Sequence, residues 1–387
     1  VALIAVAAMS ARMLAEAAVD DGFDVIALDL FGDADTRRAA LEWQAIGAAQ
    51  SLQIDDGLVL RALRVLARRG GVDGWVAGGG FEGRPELLHE AASLLPLLGS
   101  APQAVARVRD PASFFGCLDS QGIAHPPVLL NHPAALPDDG SPWLIKDARG
   151  CGGCQVRIAS PQAAAALPHH RYLQRQVAGV PMSATFIAAG RDALVLGFNE
   201  LLVRACGSRP YLFCGALGPV ELPPRAAQRV RSAVRALSAE FALQGLCSLD
   251  FMLDGDEIAL LELNPRPPAS MGLYRGRRFE PHGAGLMSAH LRACRSGELP
   301  RAASATQPGL VEGFEIVFAA RALQVDDALA SHLANWPNCH DLPCSGTCIA
   351  AGDPLCSLSA AAGTAPQLRA ALHHSGLSLL QTLETPR

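Results

Sequence analysis

A chain of 387 residues that is 50% hydrophobic and 18% charged has material for two to three packed domains, which excludes global disorder. Its net charge of -5, spread along the chain, supplies no broad positive field, so nucleic acid is not an expected partner. No apolar run approaches the roughly 20 residues that cross a bilayer, so neither a transmembrane helix nor a membrane partner is expected. Residues 1–9 are apolar, but no basic stretch precedes them, and Arg12, Glu16 and Asp20 fit the polar face of a helix rather than a secretory leader. Eleven cysteines, an odd number without a small-domain framework, fit free thiols in a reducing cytoplasm. Cys151 and Cys154 form C-x-x-C, and Cys339, Cys344, Cys348 and Cys356 cluster late. Neither group has the partner pair a zinc site needs.

The predicted elements begin in α/β order. Residues 2–7 read as a buried strand, 10–20 as a helix and 24–30 as a second strand. A strand at 74–77 runs into Gly78-Gly79-Gly80-Phe81-Glu82-Gly83 and then a helix over 85–95. The glycine run matches G-x-G-x-x-G, but no strand ending in an acid follows about 20 residues later, which counts against a dinucleotide site. A helix over 110–121 stops at Gly122, and residues 131–140 read as a Pro/Asp/Gly linker. Residues 143–146 and 155–158 read as a hairpin around a glycine-rich turn, 171–177 and 183–188 as strands, and 224–241 as an amphipathic helix. From about 300 onward the chain reads as short strands and turns with one helix near 366–374.

Two motifs carry chemistry. Thirty-one of the 32 basic residues are arginine, leaving Lys146 the only lysine. It ends a predicted strand and precedes Gly150, Cys151, Gly152 and Gly153, a loop whose backbone N–H groups suit polyphosphate. In so arginine-rich a chain, a retained ammonium points to a site wanting a compact charge rather than a planar fork. The second motif is a hairpin, Leu249-Asp250-Phe251-Met252, a turn at Asp254-Gly255-Asp256, then Leu260-Leu261-Glu262-Leu263-Asn264-Pro265-Arg266. Asp250, Glu262 and Asn264 are oxygen ligands suited to Mg²⁺ shared with phosphates. Because side chains alternate, Asp250 and Glu262 share a face only if the loop has an odd number of residues, which predicts a three-residue loop centred on Gly255 or Asp256.

Lys146 with its glycine loop, residues 172–179, and Asp250 with the E-x-N-P-R set Glu262 to Arg266 together resemble the ATP-grasp superfamily over residues 100–290. The chain is similar to ATP-dependent carboxylate–amine ligases related to biotin carboxylase and the carbamoyl-phosphate synthase large subunit. Residues 28–36 and 346–360 resemble the branch serving methanopterin and methylofuran one-carbon cofactor biosynthesis. The resemblance implies an α/β fold with a Rossmann-like first domain (1–100) and a two-lobed ATP-grasp domain (101–300, lobes 101–180 and 181–300). A small β-rich C-terminal domain (301–387) follows.

It further implies ATP and one or two Mg²⁺ as cofactors and small-molecule carboxylate and amine substrates, with room for a homodimer. Lys146 would contact the nucleotide and, with Arg266, serve the transferring phosphoryl group. Gly150, Gly152 and Gly153 would close over the phosphates, Gln174, Arg175, Gln176 and Val177 would read adenine, and Ser183 would sit near the ribose. Asp250, Glu262 and Asn264 would hold the metal. Relatives commonly carry an earlier lysine where this chain has Arg107-Val108-Arg109-Asp110-Pro111, so either Arg109 substitutes or the contact is lost. Arg275, Arg277 and Arg278 form a basic loop suited either to a carboxylate-rich substrate or to solvent. Rival readings with the same motifs are a bicarbonate-using carboxylase and a catalytically silent nucleotide-binding module.

Overall fold

The computed structural model describes residues 1–130, 136, 140–161, 167–280, 283–302 and 310–384. The expected linker at 131–140 lies mostly outside them. The first module is a parallel sheet in the spatial order Glu42–Ala45, Asp24–Asp29, Leu3–Ala7, Val72–Ala77. Parallel neighbours require crossovers, and helices Arg12–Asp20 and Asp56–Arg69 supply two of them. Covering both faces explains the unbroken apolar runs, in which Ile4, Ala5, Val6, Val25, Ile26 and Ala27 are all fully buried. The second helix, unanticipated from sequence, starts where the Asp55 carboxylate accepts from the Leu58 N–H at 2.8 Å.

A small antiparallel sheet follows, ordered Val128–Leu129, Arg171–Arg175, Trp143–Asp147, Arg157–Ile158. The expected hairpin around the glycine loop is present, with Leu144 opposite Ile158 and Ile145 opposite Arg157.

The largest sheet has eight strands, in the order Glu257–Asn264, Leu243–Asp254, Val180–Gly190, Asp192–Cys206, Arg209–Val220, Val311–Phe318, Pro354–Ala362, Cys339–His340. Helix Pro224–Phe241 has the bounds its periodicity predicts. It buries Val230, Val234, Leu237 and Phe241 against Leu249, Phe251, Ala184 and Phe186 of the sheet. Three of the C-terminal strands extend this sheet, while Leu323–Gln324 and Cys348–Ile349 pair in a two-stranded sheet of their own. Val311–Phe318 pairs with Arg209–Val220, covering an edge that would otherwise be unpaired. The last helix, Ala365–Glu384, is longer than expected and buries Leu368, Leu372 and Leu379.

Residues 34–35 meet residues 341–342 at a seam, and Ser357 donates its hydroxyl to Asp341 there. The Ala34 N–H donates to the Leu342 carbonyl at 2.8 Å, and the Asp341 N–H to the Asp35 carboxylate at 2.8 Å. Arg12 closes the seam with ion pairs to Asp341 at 2.7 Å, Glu16 at 3.1 Å and Asp35 at 3.6 Å. Removing one partner from a buried ionic cluster leaves the other charges uncompensated, which typically costs about 3–5 kcal/mol. Arg12→Ala should therefore lower unfolding free energy by about that amount in urea titrations. An unchanged midpoint would show the cluster to be dispensable.

Candidate active site

The site is built on strand parity. Leu249 and Phe251 are fully buried toward helix Pro224–Phe241, so the alternating Ser248, Asp250 and Met252 face the other way, into a cavity of about 640 Å³. That volume suits a nucleotide-sized ligand. Asp250 pairs directly with Ser183 on one side and with Glu262 on the other.

The expected three-residue loop is corrected by the structure. Asp254 pairs with Glu257, so the turn has only Gly255 and Asp256. The odd residue that parity demands is Leu261, a bulge where the register shifts from Phe251 opposite Leu260 to Asp250 opposite Glu262. The Leu260 N–H leaves the hairpin ladder there and donates to Ala124 O at 2.9 Å. Two-residue turns suit the twist of a hairpin, so the extra residue goes to the strand, where it re-aims Glu262.

Asp250 accepts from the Ser183 hydroxyl at 2.7 Å and from the Asn264 amide at 3.2 Å. Burial, reinforced by the Glu262 charge, pushes its carboxyl up to about 7. Ser183, for which the resemblance implied a ribose contact, is thus committed to the acid. Among the described residues no group of three or more His, Cys, Asp or Glu is placed to hold a metal. A divalent cation here would be held by Asp250, Glu262 and the Asn264 oxygen, its remaining ligands coming from phosphates and water, which is the usual balance for Mg²⁺.

The opposite wall holds Lys146, Gly150, Gly152 and Gly153. Burial pulls the Lys146 ammonium down from its ordinary value, opposed by Glu262 and Asp250. Gly152 and Gly153 both take positive φ, and a Cβ at Gly153 would collide with the Tyr211 carbonyl. The loop rests on strand Arg209–Val220, its Gly152 carbonyl accepting from the Phe213 N–H at 2.9 Å. Gln174, Arg175, Gln176 and Val177 line the same cavity. Strand Arg171–Arg175 ends inside this set, which continues as the extended link to Val180–Gly190. Gln174 is 1% exposed and its side-chain Nε2 has no hydrogen-bond partner among the described residues, a donor available to a ligand acceptor such as an adenine nitrogen.

Arg109 reaches the site from the end of helix Pro102–Arg109. It donates to the carbonyls of Ala148 at 2.9 Å and Gly150 at 2.7 Å and stands 3.6 Å from Glu262. It therefore braces the root of the glycine loop. The three arginines proposed for substrate do not line the cavity. Arg275 is ion-paired with Glu16 and Asp20, Arg277 lies over the Tyr274 ring at 4.8 Å, and Arg278 donates to backbone carbonyls. Sequence reasoning missed Met252 and Leu261, which also line the cavity, and Glu82, whose carboxylate pairs with Arg266 at 2.6 Å. Met252 was findable, being two residues from Asp250; Glu82 was visible only as part of a glycine motif read for another ligand.

Residues 113–270 match the ATP-grasp domain family. That segment is similar to ATP-grasp domains. The carbamoyl phosphate synthase large chain of Pseudarthrobacter chlorophenolicus is 27% identical over 237 residues, covering 56% of this chain and 21% of that one. The chain thus spans about a fifth of the length of this curated relative. Biotin carboxylase from Campylobacter jejuni, solved as a β,γ-ATP complex, is similar in structure with TM-score 0.69 and 12% identity, over 99% of this chain and 95% of that one. L-amino acid ligase from Bacillus licheniformis gives TM-score 0.68 and 13% identity, over 96% of each chain. An ATP complex of carboxyaminoimidazole ribonucleotide synthase from Aspergillus clavatus gives TM-score 0.69 and 16% identity, over 97% and 98%. These structures share the mixed α/β ATP-grasp fold seen here, and among the described residues no helix is long and apolar enough to cross a membrane.

The raised Asp250 carboxyl has a measurable consequence. The folded protein holds this proton up to about pH 7, whereas the unfolded chain releases it near 3.8, so stability falls as pH rises between those values. Added Mg²⁺ should raise the melting temperature at pH 8 and barely at pH 5, and Asp250→Asn should flatten this difference. Equal Mg²⁺ effects at both pH values would remove the metal from this pair.

Proposed function

We propose that this chain is an ADP-forming ligase that activates a carboxylate as an acyl phosphate and joins it to an amine. The observation carrying the reading is the pair Asp250 and Glu262, opposed in a cavity that also holds Lys146 and the unpartnered Gln174 amide. Gln174 to Val177 would seat adenine, and Gly150, Gly152 and Gly153 would cover the phosphates with backbone N–H groups. Mg²⁺ between the acids and the phosphates would neutralise charge as the terminal phosphoryl group transfers.

A carboxylate oxygen attacks the γ-phosphorus, the bond to the β-phosphate oxygen breaks, and ADP leaves. The amine then attacks the acyl carbon, the C–O bond to phosphate breaks, phosphate leaves, and the amine proton passes to solvent. No protein nucleophile is needed, so the residues act by position and charge: Lys146 and Arg266 flank the transferring group. The cavity is also walled by Leu201, Val203, Tyr211 and Phe213, with Arg204 beside them; Tyr211 donates to Gln176 at 3.1 Å and the Phe213 N–H to Gly152 O at 2.9 Å, so this wall would flank the nucleotide. The finer reading, addition of an amino acid such as glutamate in one-carbon cofactor biosynthesis by a cytoplasmic homodimer, rests on the resemblance near residues 28–36 and 346–360. That stretch packs at the Arg12 seam rather than in the cavity, so the substrate assignment needs its own measurement.

ADP release with a panel of carboxylates, bicarbonate and glutamate included, using hydroxylamine as trap, should yield a hydroxamate with the true acid. MgATP binding with no hydroxamate and no ADP from any acid would favour a silent nucleotide module, and turnover with bicarbonate alone a carboxylase. Lys146→Arg keeps the charge but changes its shape and should slow turnover by on the order of 10²-fold, as loss of a positioned donor does. Near-normal turnover would make Lys146 an accident of composition. Glu262→Ala should abolish Mg²⁺-dependent turnover while circular dichroism stays unchanged; full activity in it would refute the metal role.

A further inference from the structure

The glycine turn at residues 78–83 has no dinucleotide partner strand, yet it is pressed into the site from the first module. A Cβ at Gly83 would collide with the backbone of Arg149, at the root of the glycine loop. Gly80 takes φ of +108° against Met9 and Ile54, and a Cβ at Gly79 would stand 3.9 Å from the guanidinium carbon of Arg266. Gly80 and Gly83, where a Cβ would clash with Met9, Ile54 and Arg149, let the turn lie close enough for Glu82 to reach Arg266.

Glu82 is 2% exposed, and both carboxylate oxygens are engaged. One accepts from Arg266 Nε at 2.6 Å and the other from the Gly80 N–H at 2.6 Å. The carboxylate is therefore anchored to its own turn while it grips the arginine. From Arg266 the chain of contacts continues: Nη2 donates to Asn264 Oδ1 at 3.4 Å, and Asn264 Nδ2 donates to Asp250 at 3.2 Å. One line of hydrogen bonds runs from the first module to the opposed acids.

We infer that Glu82 is a positioning residue, which fixes Arg266 by its Nε so that the guanidinium is presented to the transferring phosphoryl group. This rests on the ligase reading. Glu82 does not act as a base. Burial would raise its carboxyl, but Arg266 and Arg109 outweigh burial and hold it below the ordinary carboxylate range, and neither oxygen is free to take a proton. Its part is geometric: a guanidinium bound through Nε to a fixed carboxylate has one orientation, and pre-set donors lose nothing to reorganisation during transfer.

The test is a double-mutant cycle with Glu82→Gln and Arg266→Gln, reading kcat, the KM for MgATP, and trapping of MgADP with aluminium fluoride, which mimics the phosphoryl group in flight. Glu82→Gln should lower kcat and weaken trapping by on the order of 10- to 100-fold, with the KM for MgATP nearly unchanged. The double variant should be no worse than Arg266→Gln alone, because residues that act through one another are non-additive. Multiplicative losses, or a shift in KM alone, would overturn the positioning role. Should Glu82→Gln fail to fold, Glu82→Asp takes its place in the cycle with the same criterion. Wild-type protein that binds no MgATP would instead overturn the ligase reading, so the two failures are distinguishable.

Discussion

Two carboxylates directly opposite each other on adjacent strands, recessed from solvent, are an arrangement that an ordinary hairpin avoids. Like charges across a strand pair destabilise it, and burial multiplies the repulsion. Here Asp250 and Glu262 are placed so by a bulge at Leu261, and burial, with the Glu262 charge added, pushes the Asp250 carboxyl up to about 7. The surroundings are arranged to contain it. Ser183 and Asn264 donate to Asp250, while Lys146 and Arg109 bring positive charge near the pair. The two acids remain the oxygen donors that a metal bound with nucleotide phosphates would use.

The site is assembled from the three larger sheets, which makes the packing between modules part of the chemistry. The parallel sheet delivers Glu82 to Arg266, the small sheet delivers Lys146, and the large sheet supplies the acids. Arg275, which looked like a substrate ligand, instead bonds the first helix through Glu16 and Asp20, and Arg12 joins that helix to the C-terminal strands. Charged side chains thus also serve as fasteners between modules. Fold likeness to biotin carboxylase and to an amino acid ligase alike leaves the acceptor open, because such specificity resides in cavity walls rather than in sheet order.

Elements whose signal is local were legible. Helix Pro224–Phe241 has the predicted bounds because its apolar stripe and its proline start coincide, and Leu3–Ala7 and Asp24–Asp29 read as buried strands because both faces are apolar. The C-terminal strands were readable as strands but not as members of the large sheet, since strand pairing is set by which edge stays open after the rest has packed. The parity argument identified the right requirement and put the extra residue in the wrong place. A turn and a bulge satisfy the same count, and only the pairing of Asp254 with Glu257 distinguishes them.

By itself the amino-acid sequence determined the α/β class and the candidacy of Lys146, Asp250, Glu262, Asn264 and Arg266, because hydrophobic patterning and residue chemistry are local properties. The tertiary structure alone decided that Ser183 serves Asp250, that Arg109 braces the glycine loop, and that Arg275 is a fastener. It also decided that Glu82 grips Arg266. Each of those contacts joins residues from 39 to 259 positions apart. A charge in sequence has no partner until packing brings one within reach, and at these distances nothing in the local pattern says which partner that will be.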